Sequence, residues 1–205
     1  MLVLVRQFLK DHQHTGAIMP SSSFLARTMT RSVRGGKHPK RILEVGPGTG
    51  PFTKPLLRAL RAGDELHIVE INPSLCQRLE SRVLKPFRLE HPSTRVDLHC
   101  GPIESVDIEA GFDHIICGLP FNNFPPPLVR SIFRRLMDLL ATGGELTYFE
   151  YAGVRAFKGP LVGVEGRRKL RRIGATSKIL SRKHRGTREL VLGNLPPAFA
   201  VRLVR

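Results

Sequence analysis

With 205 residues, 41% of them hydrophobic and 24% charged, the chain is long enough for one well-buried core and too short for two full domains. Three widely spaced cysteines (Cys76, Cys100, Cys117) form no Cys-x-x-Cys pair, and eight scattered histidines show no ligand spacing. The cysteines are therefore expected as buried thiols, with no disulfide framework and no metal. The formal net charge of +16 is unevenly placed: residues 1–40 carry seven Lys/Arg against Asp11, residues 41–150 carry 12 against 14 acids, and residues 151–205 carry 14 against Glu165 and Glu189.

A slightly acidic centre between basic flanks points to a polyanionic partner, an anionic membrane surface or nucleic acid. No apolar run approaches the roughly 20 residues that span a bilayer. The opening Met1–Val5 is broken by Arg6 and has no cleavage site, so no signal peptide is expected. A cytoplasmic protein, peripherally attached at the inner face of the membrane, is the expectation.

In chain order, residues 2–10 can form an amphipathic helix, with Leu2, Val5, Phe8 and Leu9 on one side. A second helix is expected from an N-cap at Ser21 or Ser22. The run 41–45 reads as a buried parallel strand ending in a glycine turn, followed by a helix from Pro51 to about Arg61. The alternation then repeats: strand 65–70, helix from Pro73 to about Lys85, strands 95–100 and 113–117, helix from about Pro126 to Leu140, strand 145–150. Strands alternating with helices imply a doubly wound, mostly parallel α/β sheet. The runs 189–192 and 198–204, separated by Gly193–Pro197, read as a closing antiparallel pair, and 166–188 as a mobile basic insertion before it. The whole is read as a single domain: residues 1–40 form a helical lid or membrane-contacting segment, 41–150 a cofactor-binding core, and 151–205 the insertion and closing strands.

The chemistry concentrates where strands end. In the turn Gly46, Pro47, Gly48, Thr49 and Gly50, glycines permit positive φ and close approach of a ligand at a helix start. The Gly-x-Gly-x-Gly spacing is not the dinucleotide Gly-x-Gly-x-x-Gly, and no Gly-Lys-Ser/Thr follows to hold a triphosphate. Glu44, just ahead of the glycines, would repel a pyrophosphate and suits a cationic ligand. Glu70 ends the second strand in Val69-Glu-Ile-Asn-Pro73, where two carboxylate oxygens can accept from a vicinal diol.

Glu44, Gly46, Gly48, Gly50 and Glu70 together resemble the S-adenosylmethionine site of class I methyltransferases, Rossmann-like enzymes with a seven-stranded sheet. The resemblance implies that Glu44 and the glycine backbone border the methionine part, that Glu70 accepts from the ribose hydroxyls, that Ile71, Gly118, Leu119 and Pro120 also bind the cofactor, and that Ile103 makes an apolar adenine contact, since Pro102 stands where many such enzymes carry an acid. The fourth strand runs into Gly118, Leu119, Pro120, Phe121, Asn122 and Asn123. This stretch resembles the Asn/Asp-Pro-Pro-Tyr/Phe loop of amino-group methyltransferases, which places carbonyl oxygens and an aromatic ring beside the transferable methyl. Gly118 replaces the polar residue that adenine-specific enzymes use.

These motifs, together with Thr15–Arg27 and Thr147–Arg155, are similar to the bacterial phospholipid N-methyltransferase family, whose members act on phosphatidylethanolamine or ornithine lipids. That resemblance implies methylation, possibly repeated, of a primary amine on a lipid head group. An amine of pKa near 10 is about one part in a thousand neutral at pH 7, and freeing its lone pair costs roughly 4 kcal/mol. Asn122, Asn123, Tyr148 and Tyr151 are the candidates for orienting that amine. An rRNA adenine N6-methyltransferase is the alternative, and a basic binding module with a vestigial cofactor fold is a third reading.

Overall fold

The computed structural model describes residues 21–36, 38–121, 124–152 and 182–205. Seven strands occur among them: β1 (Arg41–Val45), β2 (Glu65–Glu70), β3 (Arg95–Cys100), β4 (Phe112–Cys117), β5 (Leu140–Tyr151), β6 (Thr187–Val191) and β7 (Ala198–Val204). They form one sheet in the order β3-β2-β1-β4-β5-β7-β6. The first five are parallel, and β7 pairs antiparallel with both β5 and β6. The chain moves outward from β1 to β3 and returns to β4 beside β1, so the strand order reverses at the β1–β4 pair. In open α/β sheets that reversal opens a crevice at the carboxyl ends of the strands, where ligands bind.

The helices are α1 (Ser23–Met29), α2 (Thr53–Leu57), α3 (Pro73–Leu79), α4 (Lys85–Glu90) and α5 (Pro126–Leu139). Ile42–Val45 of β1 and Leu66–Glu70 of β2 are buried throughout, as expected for strands covered on both faces. On one face Leu43, Val45, Ile115 and Leu146 share a core with Leu128, Ile132, Phe133 and Leu136 of α5. On the other, Ile42, Leu66, Ile68 and Ile116 pack with Leu25 and Met29 of α1 and Leu56 of α2. Each such side chain fully buried contributes roughly 1.5–3 kcal/mol, so these two layers hold the strand ends in register.

The Ser22 side chain caps α1 by accepting from the Leu25 amide at 3.2 Å. Two helices differ from expectation because of internal prolines. Pro55 has no N–H to return to Pro51, so α2 starts only at Thr53. The chain then tightens, with Ala59 and Leu60 bonding three residues back rather than continuing a helix to Arg61. The helix begun at Pro73 passes Lys85 and reaches Glu90. A π-turn over Glu80–Leu84 joins α3 to α4, and Pro86 sits in the first turn of α4, where a missing donor costs least. Strand β5 starts at Leu140 rather than 145, because residues 141–144 bulge between the Phe112–Leu140 and His114–Glu145 pairs. The helix expected over 2–10 and residues 166–181 of the expected insertion lie outside the described residues. No helix among the described residues is long and apolar enough to cross a membrane.

Candidate active site

Three chain segments leave the carboxyl edge of the sheet side by side. The Gly46 amide donates to the Val69 carbonyl (2.9 Å), the Gly118 amide to the Val45 carbonyl (2.8 Å) and the Gly101 amide to the Glu70 carbonyl (2.9 Å). Each bond extends the ladder one step past the strands, so the glycine turn, the Glu70 strand end and the 118–121 loop emerge in fixed register.

Gly46, Gly48 and Gly50 adopt φ of 70°, 58° and 86°, which glycine alone reaches at no steric cost. A Cβ at Gly46 would also lie 2.5 Å from Leu119 Cδ2. One at Gly118 would lie 2.6 Å from the Gly46 carbonyl oxygen and 3.3 Å from the Phe52 ring. The acceptor-side loop is therefore seated directly on the cofactor-side turn, and Gly118 is required by that contact.

Glu70 is held by backbone donors. The Gly48 amide reaches one carboxylate oxygen at 3.1 Å and the Asn72 amide the other at 2.9 Å. Asn72 in turn caps α3 through its side chain, followed by Pro73 at the first helical position. Each oxygen keeps a second lone pair, the arrangement needed to accept from two adjacent hydroxyls. Burial raises the Glu70 pKa, against the lowering effect of these amides.

Glu44 is fully buried, on the face covered by α2. Neither of its oxygens has a hydrogen-bond partner among the described residues. Burial pushes its pKa up to about 8. The Thr53 hydroxyl eases the charge without reaching hydrogen-bond geometry, and Glu70 adds repulsion. An unpaired buried carboxyl is costly unless a cation or donor meets it. Glu44, if a bound cation ionises it, and Glu70, with a free lone pair on each oxygen, are the residues that could hold the cationic end and the ribose of a cofactor beside the glycine turn. This arrangement fits the ammonium, sulfonium and ribose of S-adenosylmethionine.

The remaining expected residues are distributed as follows. Ile103 is turned into the core, while Ile71 and Leu119 lie at its margin. Phe121 is buried rather than presented to the crevice: its ring lies 4.4 Å from that of Phe133 on α5 and edge-on to Tyr148 at 5.8 Å. Tyr148 and Tyr151 occupy opposite faces of the sheet, as their spacing along one strand dictates. Tyr148 is fully buried against Phe133 at 5.0 Å, and Tyr151 is half-buried on Phe149 at 5.2 Å, with its pKa raised by burial. Asn122 and Asn123 lie outside the described residues. Cys76 and Cys117 are buried, whereas Cys100 is exposed, because it ends the edge strand β3. Sequence reasoning passed over Asn72, although Asn-Pro after a strand is an N-cap signature, and Phe52, which has no local signal and matters only because Gly118 lands on it.

A model of the methyltransferase domain family matches residues 42–144, half of the chain. The chain belongs to this methyltransferase family. An ornithine lipid N-methyltransferase of Singulisphaera acidiphila is 27% identical to it over 138 residues, covering 67% of this methyltransferase and 71% of the relative. The ribosomal RNA small subunit methyltransferase A of Chromobacterium violaceum is 33% identical over 103 residues, 48% of this chain; the match spans only about a third (35%) of that relative. An O-methyltransferase from Bacillus cereus, solved in complex with SAH, superposes with a TM-score of 0.65 at 16% identity, over 98% of this chain and 88% of that one. That likeness establishes the Rossmann-like methyltransferase fold, with its antiparallel closing strands.

Proposed function

We propose that this S-adenosylmethionine-dependent enzyme methylates the primary amine of a membrane lipid head group, of the phosphatidylethanolamine or ornithine lipid type. The cofactor supplies an electrophilic methyl on a sulfonium. Glu44 offers the buried negative charge that matches its cationic end, Glu70 accepts from the ribose diol, and the backbone of Gly46–Gly50 lets it approach closely. The Gly118–Phe121 loop, stiffened by Pro120 and seated on Gly46, fixes the distance between cofactor turn and acceptor. The ammonium first loses a proton to solvent, and the nitrogen lone pair then takes the methyl in line as the carbon–sulfur bond breaks and S-adenosylhomocysteine leaves, a step that depends on this alignment. Asn122, Asn123 and Tyr151 are the proposed orienting groups for the amine. Tyr148 acts as a positioning residue beneath Phe121.

The observation that carries the lipid reading over the adenine one is this loop. Position 118 has no room for the polar side chain that would grip an exocyclic amine, and the Phe121 ring is committed to Phe133 and Tyr148 rather than to a stacked base. The ornithine lipid methyltransferase relative and the basic flanks are consistent with the same reading. Incubation with methyl-labelled cofactor and either lipid in detergent tests it. Label in the lipid fraction is the expected result, and activity on neither lipid overturns it.

A further inference from the structure

The β6–β7 turn, residues 192–197, stands at the carboxyl edge of the sheet. Strand β7 begins at Ala198 opposite Tyr151, the last residue of β5, and the Ala152 amide donates to the Pro197 carbonyl at 2.6 Å. The turn is braced from within: the Asn194 side chain is buried, donates to the Pro196 carbonyl at 2.7 Å and accepts from the Ser22 amide at 2.9 Å. That last bond ties the start of α1 to the turn and lays Phe24 over Gly193, where a Cβ would sit 2.8 Å from the ring. On this rigid support three large apolar side chains face outward: Phe24 is 62% exposed, Leu192 73% and Leu195 68%.

The acids beside the turn are paired, Glu150 at the end of β5 with Arg188 and Glu189 on β6 with Arg31 and Arg202, and exposed Arg27 leaves the surroundings net positive. Residues 21–36 contain no acid, and exposed Arg27 lies one turn from Phe24. Residues 190–204 contain no acid either, and the sequence running on from Ala152 carries eight Lys/Arg against Glu165 alone over residues 153–181. An apolar tip in basic surroundings matches an anionic lipid interface, which takes apolar side chains below the head groups and cations at their level. Only one of the three, Phe24, offers a ring on which a base can stack, which disfavours RNA as the occupant.

We propose that Phe24, Leu192 and Leu195 form an insertion tip that seats the enzyme on an anionic bilayer with the carboxyl edge of its sheet toward the head groups. The inference rests on the lipid-amine reading above and extends it. Glu44, Glu70 and the 118–121 loop lie at that same edge, so a head-group amine reaches the methyl donor without the lipid leaving the membrane.

The chain has no tryptophan, so Leu195→Trp is a single local reporter in the full-length protein. With vesicles of phosphatidylglycerol and phosphatidylethanolamine, its emission shifts to the blue and is quenched by brominated acyl chains. The double variant Leu192→Ser/Leu195→Ser binds the same vesicles at least about tenfold more weakly, as expected when two leucines lose their apolar burial. Its thermal midpoint, its cofactor affinity and its methylation of lipid in detergent micelles stay at wild-type values. Three results would overturn the tip: an unshifted Leu195→Trp reporter on protein that binds vesicles normally, wild-type vesicle binding by the double variant, or emission already blue before lipid is added. The last would assign these residues to another part of the chain or to a second copy. Absence of lipid methylation by the wild type in detergent would overturn the underlying reading itself, and the tip with it.

Discussion

Glu44 is protonated in the cofactor-free protein at neutral pH, because burial holds its pKa near 8. A bound cation favours the ionised form, so cofactor binding at pH 7 releases close to one proton and tightens as pH rises toward 8. Calorimetry in buffers of different ionisation enthalpy measures this directly. Glu44→Gln is expected to bind at least about tenfold more weakly, with no proton release in this range. The stability effect runs the other way. A carboxyl with its folded pKa raised from 4.5 to about 8 contributes stability fully below pH 4.5 and loses it as pH rises through 8. Glu44→Gln therefore has a higher thermal midpoint than wild type at pH 9. At Glu70 the expected outcome differs, because both oxygens already face amide donors. Glu70→Gln must turn an NH2 group toward Gly48 or Asn72 and loses one of the two oxygens that would accept from the ribose, which costs about 1–3 kcal/mol of cofactor affinity, or roughly 5–150-fold in Kd. Both acids were legible in the sequence as strand-end carboxylates around a glycine turn. The protonation of Glu44 was not, because it depends on α2 closing over it.

The element that decides between acceptors is the loop after β4. Its glycine is dictated by a contact with the turn after β1, some 70 residues earlier in the chain, so its meaning is tertiary. Gly118→Ala is expected to destabilise the fold by about 1–3 kcal/mol and to lower turnover, through displacement of the loop from Gly46 and Phe52. Denaturant unfolding and initial rates report the two effects separately. Gly118→Asn is expected to gain no activity on adenine. The direction of Phe121 was equally hidden from local reading, since a ring after proline suits either the core or the crevice. Phe133 on α5 and Tyr148 on β5 decide it. Strand positions, by contrast, were readable because β1 and β2 are buried on both faces and leave continuous apolar runs. Helix ends were less so: Pro55 cuts one helix short, and the other continues past Pro86 through a π-turn.

Across the molecule, the proposed function rests on two superimposed arrangements. The doubly wound sheet gathers the glycine turn, the Glu70 strand end and the 118–121 loop at one edge, and the chain's excess positive charge lies outside that slightly acidic core, in the flanks at either end. On the proposal that charge contributes to attachment at an anionic surface, the protein is expected to bind phosphatidylglycerol vesicles at least about tenfold more weakly when ionic strength rises from 0.1 to 0.5 M. On the same proposal the apolar tip is expected to supply the salt-resistant remainder. Vesicle sedimentation over a salt series checks this, and binding that vanishes completely would leave no role for Phe24, Leu192 and Leu195. The most direct test offers the enzyme methyl-labelled S-adenosylmethionine with phosphatidylethanolamine, ornithine lipid and small-subunit ribosomal RNA in one reaction, followed by phase extraction. The account predicts label on a lipid amine in the organic phase and none on RNA. Label on RNA adenine, or on none of the three, would contradict it.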